Sequence, residues 1–242
     1  MSAGKQPETL KCPQGEVPWS RPQTRVQFGP SGREGSHAPR RRGRFLIKAA
    51  SPSVIVLAGP NGAGKTTAAP RLLKGSLDVT EFVNTDLIAE GLSGFAPEGT
   101  ALLAAEAMLS RIRTLARQRV SFAFETTLVS RSLLPWLREL VEDGYRFHLV
   151  FLWLPSVDLA VNRVACRVRL GGHNVPKDTI RRRYDRGLRN FFQLHRPIAT
   201  TWRMYDNSHG RRPRRIASGA GGRTTRIVDE QVWNRILREH AT

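Results

Sequence analysis

The sequence has little cysteine and no long hydrophobic run. Only two of its 242 residues are cysteines, Cys12 and Cys166, which excludes a disulfide framework or a cysteine-based zinc framework. No run of about 20 apolar residues occurs, so a membrane-spanning helix is not expected. The N-terminus lacks the apolar segment of a secretory signal, so we expect a cytoplasmic protein with no membrane partner. Hydrophobic residues still make up 40% of the chain, which suffices for a buried core.

Acidic residues are also scarce. The chain has 20 Asp and Glu against 39 Lys and Arg, a formal net charge of +19. The excess lies in three blocks, 1–45, 161–189 and 210–227, and separate blocks predict separate roles. The first block is rich in proline and glycine and poor in aliphatic residues, so we predict a disordered basic tail over 1–45 and one domain over 46–242. The third block predicts a loop bounded by short strands.

Apolar segments alternate with helical patterns from residue 46 onward. Strands are predicted near 53–58, 82–84, 120–124, 147–154 and 201–206. This alternation predicts an α/β fold, a P-loop NTPase or nucleotide-kinase-like parallel sheet with helices on both faces. Ligands of such sheets bind beyond the carboxyl ends of the strands, so the residues that follow each strand are the candidates for a site.

A glycine-rich loop of the form G-x-x-x-x-G-K-T follows the first strand and precedes a helical pattern, which is the context that a phosphate-binding loop requires. Its backbone N–H groups and the helix dipole favour phosphate, and its lysine and first threonine favour the β/γ-phosphates and Mg²⁺. We therefore predict ATP or GTP as the nucleotide, Mg²⁺ on Thr66 and a catalytic Lys65. The predicted nucleotide-binding residues are Gly59, Pro60, Asn61, Gly62, Ala63, Gly64, Lys65, Thr66 and Thr67.

Acidic residues follow the second and third strands. Asp86 is placed to accept the proton of an acceptor hydroxyl, with a helix N-cap as the alternative role. Glu125 and Thr127 are predicted to contact the acceptor or a metal-bound water, with turn formation as the alternative. No acid follows the fourth strand, where Pro155 stands instead. This argues against motor, AAA and transporter ATPases and favours small-molecule kinases.

The second basic block predicts two helices joined by a glycine turn, a lid-like hairpin over about 163–190. Arginines that a lid delivers can stabilise charge on the transferred phosphoryl group. The alternative is a basic surface hairpin that attracts polyanions. His173, in the turn, is predicted to act as a hinge or substrate contact, since no residue with metal-ligand spacing accompanies it.

Together these segments resemble the zeta-toxin family of P-loop kinases, which are similar to UDP-N-acetylglucosamine kinases, and in particular a short branch with a Gly-Gly-His hairpin. The shared segments are GPNGAGKTT (59–67), FVNTDLIAEGL (82–92), FAFETTL (122–128), RVACRVRLGGHNVP (163–176), IRRRYDRGLRNF (180–191) and YDNS (205–208).

The resemblance implies phosphoryl transfer from ATP or GTP to a small-molecule acceptor, a hydroxyl of a UDP-amino sugar in the toxins. It implies that Asp86 is the general base, that Glu125 and Thr127 lie near the acceptor, and that Asn207 lies near the nucleotide base. Arg167 with Arg182 or Arg183 would surround the γ-phosphate. A small antitoxin protein that blocks the site is a further implied partner.

Two other functions remain open at this point. A polynucleotide or RNA-end kinase would use the basic blocks to hold a phosphate backbone, although no basic stripe interleaved with aromatic residues is present to stack bases, so nucleic acid is not favoured. A nucleotide-dependent binding switch would bind ATP without catalysis. Replacement of Asp86 separates the switch from a kinase, since only a kinase needs that carboxylate for turnover.

Overall fold

A computed structural model describes residues 51–74, 79–92, 97–172, 174–209 and 212–240. The predicted tail over 1–45 and the predicted contact His173 lie outside the described residues, and the division of the chain into tail and domain stays a prediction. No helix in the described ranges is long and apolar enough to cross a membrane.

A seven-stranded sheet forms the centre of the described chain, in the order β2-β3-β1-β4-β5-β6-β7. The first five strands in this order are parallel to one another. They are β1 (Ser53–Ala58), β2 (Glu81–Val83), β3 (Phe122–Thr126), β4 (Arg146–Trp153) and β5 (Thr201–Asp206). Every residue of β1 is buried, because this central strand is covered on both faces, which is why it is apolar almost throughout.

Seven α-helices accompany the strands in the described chain. They are α1 (Lys65–Lys74), α2 (Thr85–Leu92), α3 (Ala101–Arg117), α4 (Leu134–Glu142), α5 (Val157–Arg169), α6 (Lys177–Asn190) and α7 (Glu230–His240). Ser156 caps α5 as its hydroxyl accepts a hydrogen bond from the N–H of Leu159 at 3.2 Å. The α/β nucleotide-kinase-like fold predicted from the sequence is confirmed, and α5 and α6 form the expected basic hairpin.

The third basic block contains the two short strands expected near 215–218 and 225–228, and the loop between them is only the turn at 221–222, shorter than predicted. Residues Arg214–Ala220 (β6) and Arg223–Ile227 (β7) form an antiparallel hairpin that extends the sheet beyond β5. The hairpin holds because Ile216 and Ala217 are fully or almost fully buried, and because Gly221 makes the tight turn with a positive φ of 51°. The short strands expected at the ends of the block thus pair with each other.

Trp202 of β5 joins this hairpin to the helices. Its ring is stacked on Trp233 of α7, with centroids 5.6 Å apart and an interplanar angle of 16°. The guanidinium of Arg196 lies 4.8 Å from the Trp202 ring centroid, and the indole N–H donates to the Gly221 carbonyl at 3.1 Å. Gly219 of β6 leaves room for this ring, since a Cβ there would lie 2.7 Å from it. The buried indole therefore ties the antiparallel extension to the sheet and to α7.

Candidate active site

The loop of residues 59–64 links β1 to α1 at the carboxyl end of the sheet, as the sequence predicts. Gly59, Gly62 and Gly64 have φ angles of 144°, 77° and 76°, which side chains rarely adopt. Space is also limited, because a Cβ on Gly62 would lie 2.7 Å from the carbonyl oxygen of Ala160 in α5. The glycines therefore allow the phosphate-binding loop to pack directly against the first helix of the basic hairpin.

Lys65 begins α1 and is buried, with 6% of its surface exposed. Its ammonium donates to the carbonyls of Gly59 at 3.0 Å and Pro60 at 3.1 Å, and its Nζ lies 3.6 Å from Oε1 of Glu125. Burial lowers the pKa of Lys65 below its ordinary value, and the charges of Glu125 and Asp86 oppose that shift. The lysine thus sits beside the loop and two carboxylates.

Thr66, Asn84 and Glu125 form a closed hydrogen-bonded group at the ends of three neighbouring elements. The Thr66 hydroxyl donates to Oε2 of Glu125 at 2.9 Å. The Asn84 amide donates to the same Oε2 at 2.8 Å and to the Thr66 hydroxyl at 3.1 Å. Because β3 is next to β1 in the sheet, the carboxylate of Glu125, near the end of β3, reaches the phosphate-binding loop. Glu125 thus lies beside Thr66 and also lines the cleft that contains Thr127, and its contact with the acceptor stays a prediction.

Asn84 is a site residue that the sequence analysis did not single out. It is 4% exposed, and its Oδ1 accepts hydrogen bonds from the N–H groups of Asp86 at 2.8 Å and Leu87 at 3.4 Å. Asn84 thereby caps the N-terminus of α2 by accepting hydrogen bonds from its free N–H groups. The sequence analysis gave this capping role to Asp86 as the alternative to catalysis. An asparagine just before the helix was a capping signal in the sequence.

Asp86 lies in the first turn of α2 and points toward the basic hairpin. Its side chain is 48% exposed, and its Oδ2 lies 3.9 Å from Nη1 of Arg167. It lines the same cleft as Lys65 and Thr66. A carboxylate that does not cap its helix and faces the phosphate-binding loop across a cleft is placed for proton transfer.

The basic hairpin contributes four arginines to the cleft, which are Arg163, Arg167, Arg183 and Arg186. Arg182 is not among the lining residues, and its guanidinium donates to the Thr179 hydroxyl at 3.3 Å. Residues three apart share one face of a helix, so Arg183 and Arg186 point to the cleft together while Arg182 lies about 100° around α6. Of the two arginines that the sequence analysis named as alternatives on α6, the structure brings Arg183 to the site.

The cleft has a volume of about 900 Å³ and two chemically different walls. One wall is the set of four arginines. The other is largely apolar and comes from α3 and the segment after β3, through Ala101, Ala105, Met108, Leu109, Val129 and Leu133. Thr127, a predicted acceptor contact, also lines the cleft. The space suits a compound that is anionic at one end and apolar at the other.

A second, smaller cavity of about 260 Å³ lies beside the phosphate-binding loop. It is lined by Gly64, Thr67, Ala68, Pro70, Arg71, Asn207 and Pro213. The Asn207 amide donates to the carbonyl of Ala63 at 2.7 Å, so the predicted base-contacting residue is fixed to the loop that would hold the phosphates. Its contact with the nucleotide base stays a prediction.

The described residues contain no cluster of three or more His, Cys, Asp or Glu that could hold a metal by themselves. Mg²⁺ in phosphoryl-transfer sites is usually held by one or two protein oxygen ligands and the phosphates of the nucleotide. The Thr66 hydroxyl and the Glu125 carboxylate, 2.9 Å apart, are hard oxygen donors next to the phosphate-binding loop. The donor set therefore fits a nucleotide-bound Mg²⁺.

Residues 54–194 match the model of a protein family described as AAA domain. An uncharacterised protein of Haemophilus influenzae is 27% identical over 131 residues, which cover 54% of this chain and 91% of that protein. The match to the family model covers the phosphate-binding loop, both carboxylates and the basic hairpin.

Several solved structures share the fold. The AvrRxo1-ORF1:-ORF2 complex crystallised with ATP matches with a TM-score of 0.58 and 16% identity, over 78% of this chain and 64% of that chain. The PezAT chromosomal toxin-antitoxin system of Streptococcus pneumoniae gives 0.54 and 16%, over 81% and 87%. A protein of Chloroflexus aurantiacus assigned as a kinase gives 0.50 and 15%, over 78% and 99%. The chain thus spans less than two thirds of the AvrRxo1 chain, and its fold is that of P-loop kinases.

The family description corrects one expectation. The missing acid after β4 argued against AAA proteins, yet the family bears that name. The observation itself holds, since Pro155 follows Leu154 after β4. The preference for kinases that accompanied it agrees with the fold, since the carboxylate beside Thr66 comes from the end of β3, on the other side of β1.

Proposed function

Because the chain belongs to this family of AAA domains and has a P-loop kinase-like fold, we propose that it is an ATP-dependent kinase of the zeta-toxin type. In this proposal it transfers the γ-phosphate of ATP to a hydroxyl of a small molecule. The observation that carries this proposal is that Asp86 lines the same cleft as Lys65 and Thr66. Its carboxylate faces the space between these two residues and the arginines of the basic hairpin.

The proposed reaction is an in-line displacement. The acceptor oxygen attacks the γ-phosphorus, the bond from that phosphorus to the β,γ-bridging oxygen breaks, and ADP leaves with the bonding electrons. Asp86 takes the proton of the acceptor hydroxyl. Lys65 turns from the loop carbonyls to the phosphates, and Arg167 and Arg183 offset the charge of the transferred group. Thr66 and Glu125 would hold Mg²⁺, which neutralises phosphate charge when bound.

The shape of the larger cleft supports an acceptor with an anionic part. Such a compound would place its charge against the arginines and its less polar part against Met108 and Leu109 of α3. A UDP-amino sugar, the acceptor that the zeta-toxin resemblance implies, has a diphosphate and meets this requirement. An antitoxin that covers the cleft is proposed on the same resemblance, and Asn207 is proposed as the contact to the nucleotide base.

The test is transfer of label from γ-labelled ATP to a panel of acceptors. The panel contains UDP-N-acetylglucosamine, other nucleotide sugars, free sugars and RNA with a free 5′-hydroxyl. We expect labelling of a nucleotide sugar by the wild-type protein. Labelling of free sugars alone would contradict the anionic acceptor. Labelling of RNA ends would favour the polynucleotide kinase, which the arginine wall of the cleft also accommodates. Nucleotide binding without any labelling would favour the binding switch.

Asn84 provides a prediction that separates its structural role from its role in the site. Asn84→Asp keeps an oxygen for the N-terminus of α2, since aspartate caps helices as well as asparagine does. It removes the amide donor to Thr66 and Glu125 and places a second carboxylate beside Glu125. Because partners that orient metal ligands typically affect affinity or activity about 10- to 100-fold, we expect a loss of that size in kcat/KM for MgATP.

Thermal unfolding is the control: Asn84→Ala should lower the midpoint through the lost cap, whereas Asn84→Asp keeps the cap and should lower it only through repulsion between two mostly buried carboxylates, which protonation at low pH relieves. Wild-type kinetics of Asn84→Asp would show that the contact to Glu125 has no part in nucleotide use.

A further inference from the structure

One face of the sheet beyond β4 carries arginines and is not covered by a helix in the described chain. Along β5, Trp202 and Met204 are fully buried on the face that α7 covers through Trp233. Thr201 and Arg203 alternate with them and remain partly exposed. Successive residues of a strand point to opposite faces, so Arg203 belongs to the face opposite α7.

The strand register extends this face across the hairpin. Arg203 pairs with Ser218 of β6, and Ser218 pairs with Arg226 of β7. Paired residues on neighbouring strands lie on the same face, so these three side chains form one row. The next pair on that face is Ala220 with Arg223. Arg223 and Arg226 are both exposed.

The neighbouring strand β4, which lies between β5 and β1, also carries basic side chains on this face. Nδ1 of His148 lies 2.7 Å from the Thr201 hydroxyl. Burial and the charges of Arg146 and Arg203 lower the pKa of His148 below its ordinary value, so two guanidinium groups flank this ring. We call the whole set the basic sheet face, and it consists of Arg146, His148, Arg203, Ser218, Arg223 and Arg226.

The basic sheet face lies away from the candidate active site. Arg146 pairs with Ser53 at the start of β1, but Arg203 pairs with Val150, which pairs with Leu57, so Arg203 is level with the end of that strand. The separation is therefore across the sheet. Arg203 and Arg226 stand on β5 and β7, two and four strands from β1, roughly 10 and 19 Å at about 4.8 Å per strand, whereas the cleft takes Glu125 from β3 on the other side of β1. A function of this face is therefore independent of the proposed phosphoryl transfer.

We infer that the basic sheet face binds the phosphate backbone of double-stranded nucleic acid. Four guanidinium groups with no carboxylate among the six residues create a positive field, and arginine suits bidentate contact with phosphate oxygens. Ser218, in the centre of the row, adds a hydroxyl donor. The aromatic side chain on this face of β5, Tyr205, is 8% exposed and lies under the guanidinium of Arg215, so it offers no open platform on which unpaired bases stack. Binding through phosphates alone is independent of sequence and suits a duplex.

The test measures how tightly the full chain binds a short, fluorescently labelled DNA duplex of arbitrary sequence. Fluorescence anisotropy gives the binding constant K at each of a series of salt concentrations. The variant is Arg203→Gln with Arg226→Gln. The matched control is Arg113→Gln with Arg138→Gln, which removes the same charge from exposed positions of α3 and α4. The basic N-terminal block is present in every protein, so its contribution cancels.

For B-DNA the slope of log K against log salt changes by about 0.9 for each phosphate contact, so we expect the variant slope to be less steep by about 1.8. The control should keep most of the wild-type slope, and Arg203→Lys with Arg226→Lys should keep it too because the charge remains. Equal effects of the two Gln pairs would overturn the inference, as would tighter binding of single-stranded DNA or anionic vesicles through these residues. Phosphoryl transfer should be the same in all these proteins.

Discussion

Asp86→Asn is expected to lower kcat about 10²- to 10⁴-fold, the range that a general base contributes, while ATP still binds. The amide is nearly the same size as the carboxylate but cannot accept the proton of the acceptor hydroxyl. The substitution removes the 3.9 Å contact with Arg167, yet that pair is solvent-exposed and contributes little to stability. Initial rates with the acceptor found in the panel give kcat, and calorimetric titration gives the affinity for ATP.

The matched control for this prediction is Glu90→Gln. Glu90 is exposed on the same helix, α2, and does not line the cleft. The two variants therefore change the charge of α2 equally and differ only at the proposed base. Turnover near the wild-type value in Asp86→Asn would rule out the proton-transfer role, whereas ATP binding without turnover in the wild-type protein itself would support the binding switch. A loss of ATP binding would instead assign Asp86 to the nucleotide site.

The second large effect concerns stability. Trp202→Ala is expected to lower the free energy of unfolding by about 3 to 5 kcal/mol, the range for truncation of a buried aromatic side chain. Trp202 has no exposed surface, and it contacts Phe191, Trp233 and Arg196. A loss of that size is a large part of the total stability of an ordinary domain. Urea unfolding monitored by circular dichroism measures it.

Trp136→Ala is the comparison for Trp202→Ala. Trp136 of α4 is only partly buried and packs at the edge of the core against Phe122, so its removal leaves less of a cavity. We expect a smaller loss than for Trp202. Similar losses for the two variants would mean that the hairpin of β6 and β7 does not depend on the indole that lies beneath it.

The sequence predicted the parts of the site that local patterns specify. The loop of residues 59–67 follows from its spacing between a strand and a helix, and Asp86 and Glu125 follow from the rule that parallel strands present ligands at their carboxyl ends. The fold class follows from the alternation of strands and helices. These features depend on short stretches of chain and on general sheet geometry.

Features that depend on long-range packing were missed or left open. Arg182 and Arg183 differ only by helical phase, and the face of α6 that meets the cleft is fixed by packing elsewhere in the chain. The role of Asn84 requires Thr66 and Glu125 to be adjacent, and they are distant in sequence. The two short strands of the third basic block were expected, but not that they pair with each other and extend the sheet beyond β5, because only a few apolar residues, Ile216 and Ala217 among many arginines, mark the buried part of β6.

The attachments of the basic hairpin determine how it can move. In the middle of its first helix, Arg163 donates to the carbonyls of Asn207 and Ser208. Near the end of its second helix, the Asn190 amide donates to the carbonyl of Leu128 at 2.7 Å. A closure of the cleft that kept these hydrogen bonds would bend the hairpin near its tip, around Gly171. Such a bend would move Arg167, one turn from that tip, more than Arg163.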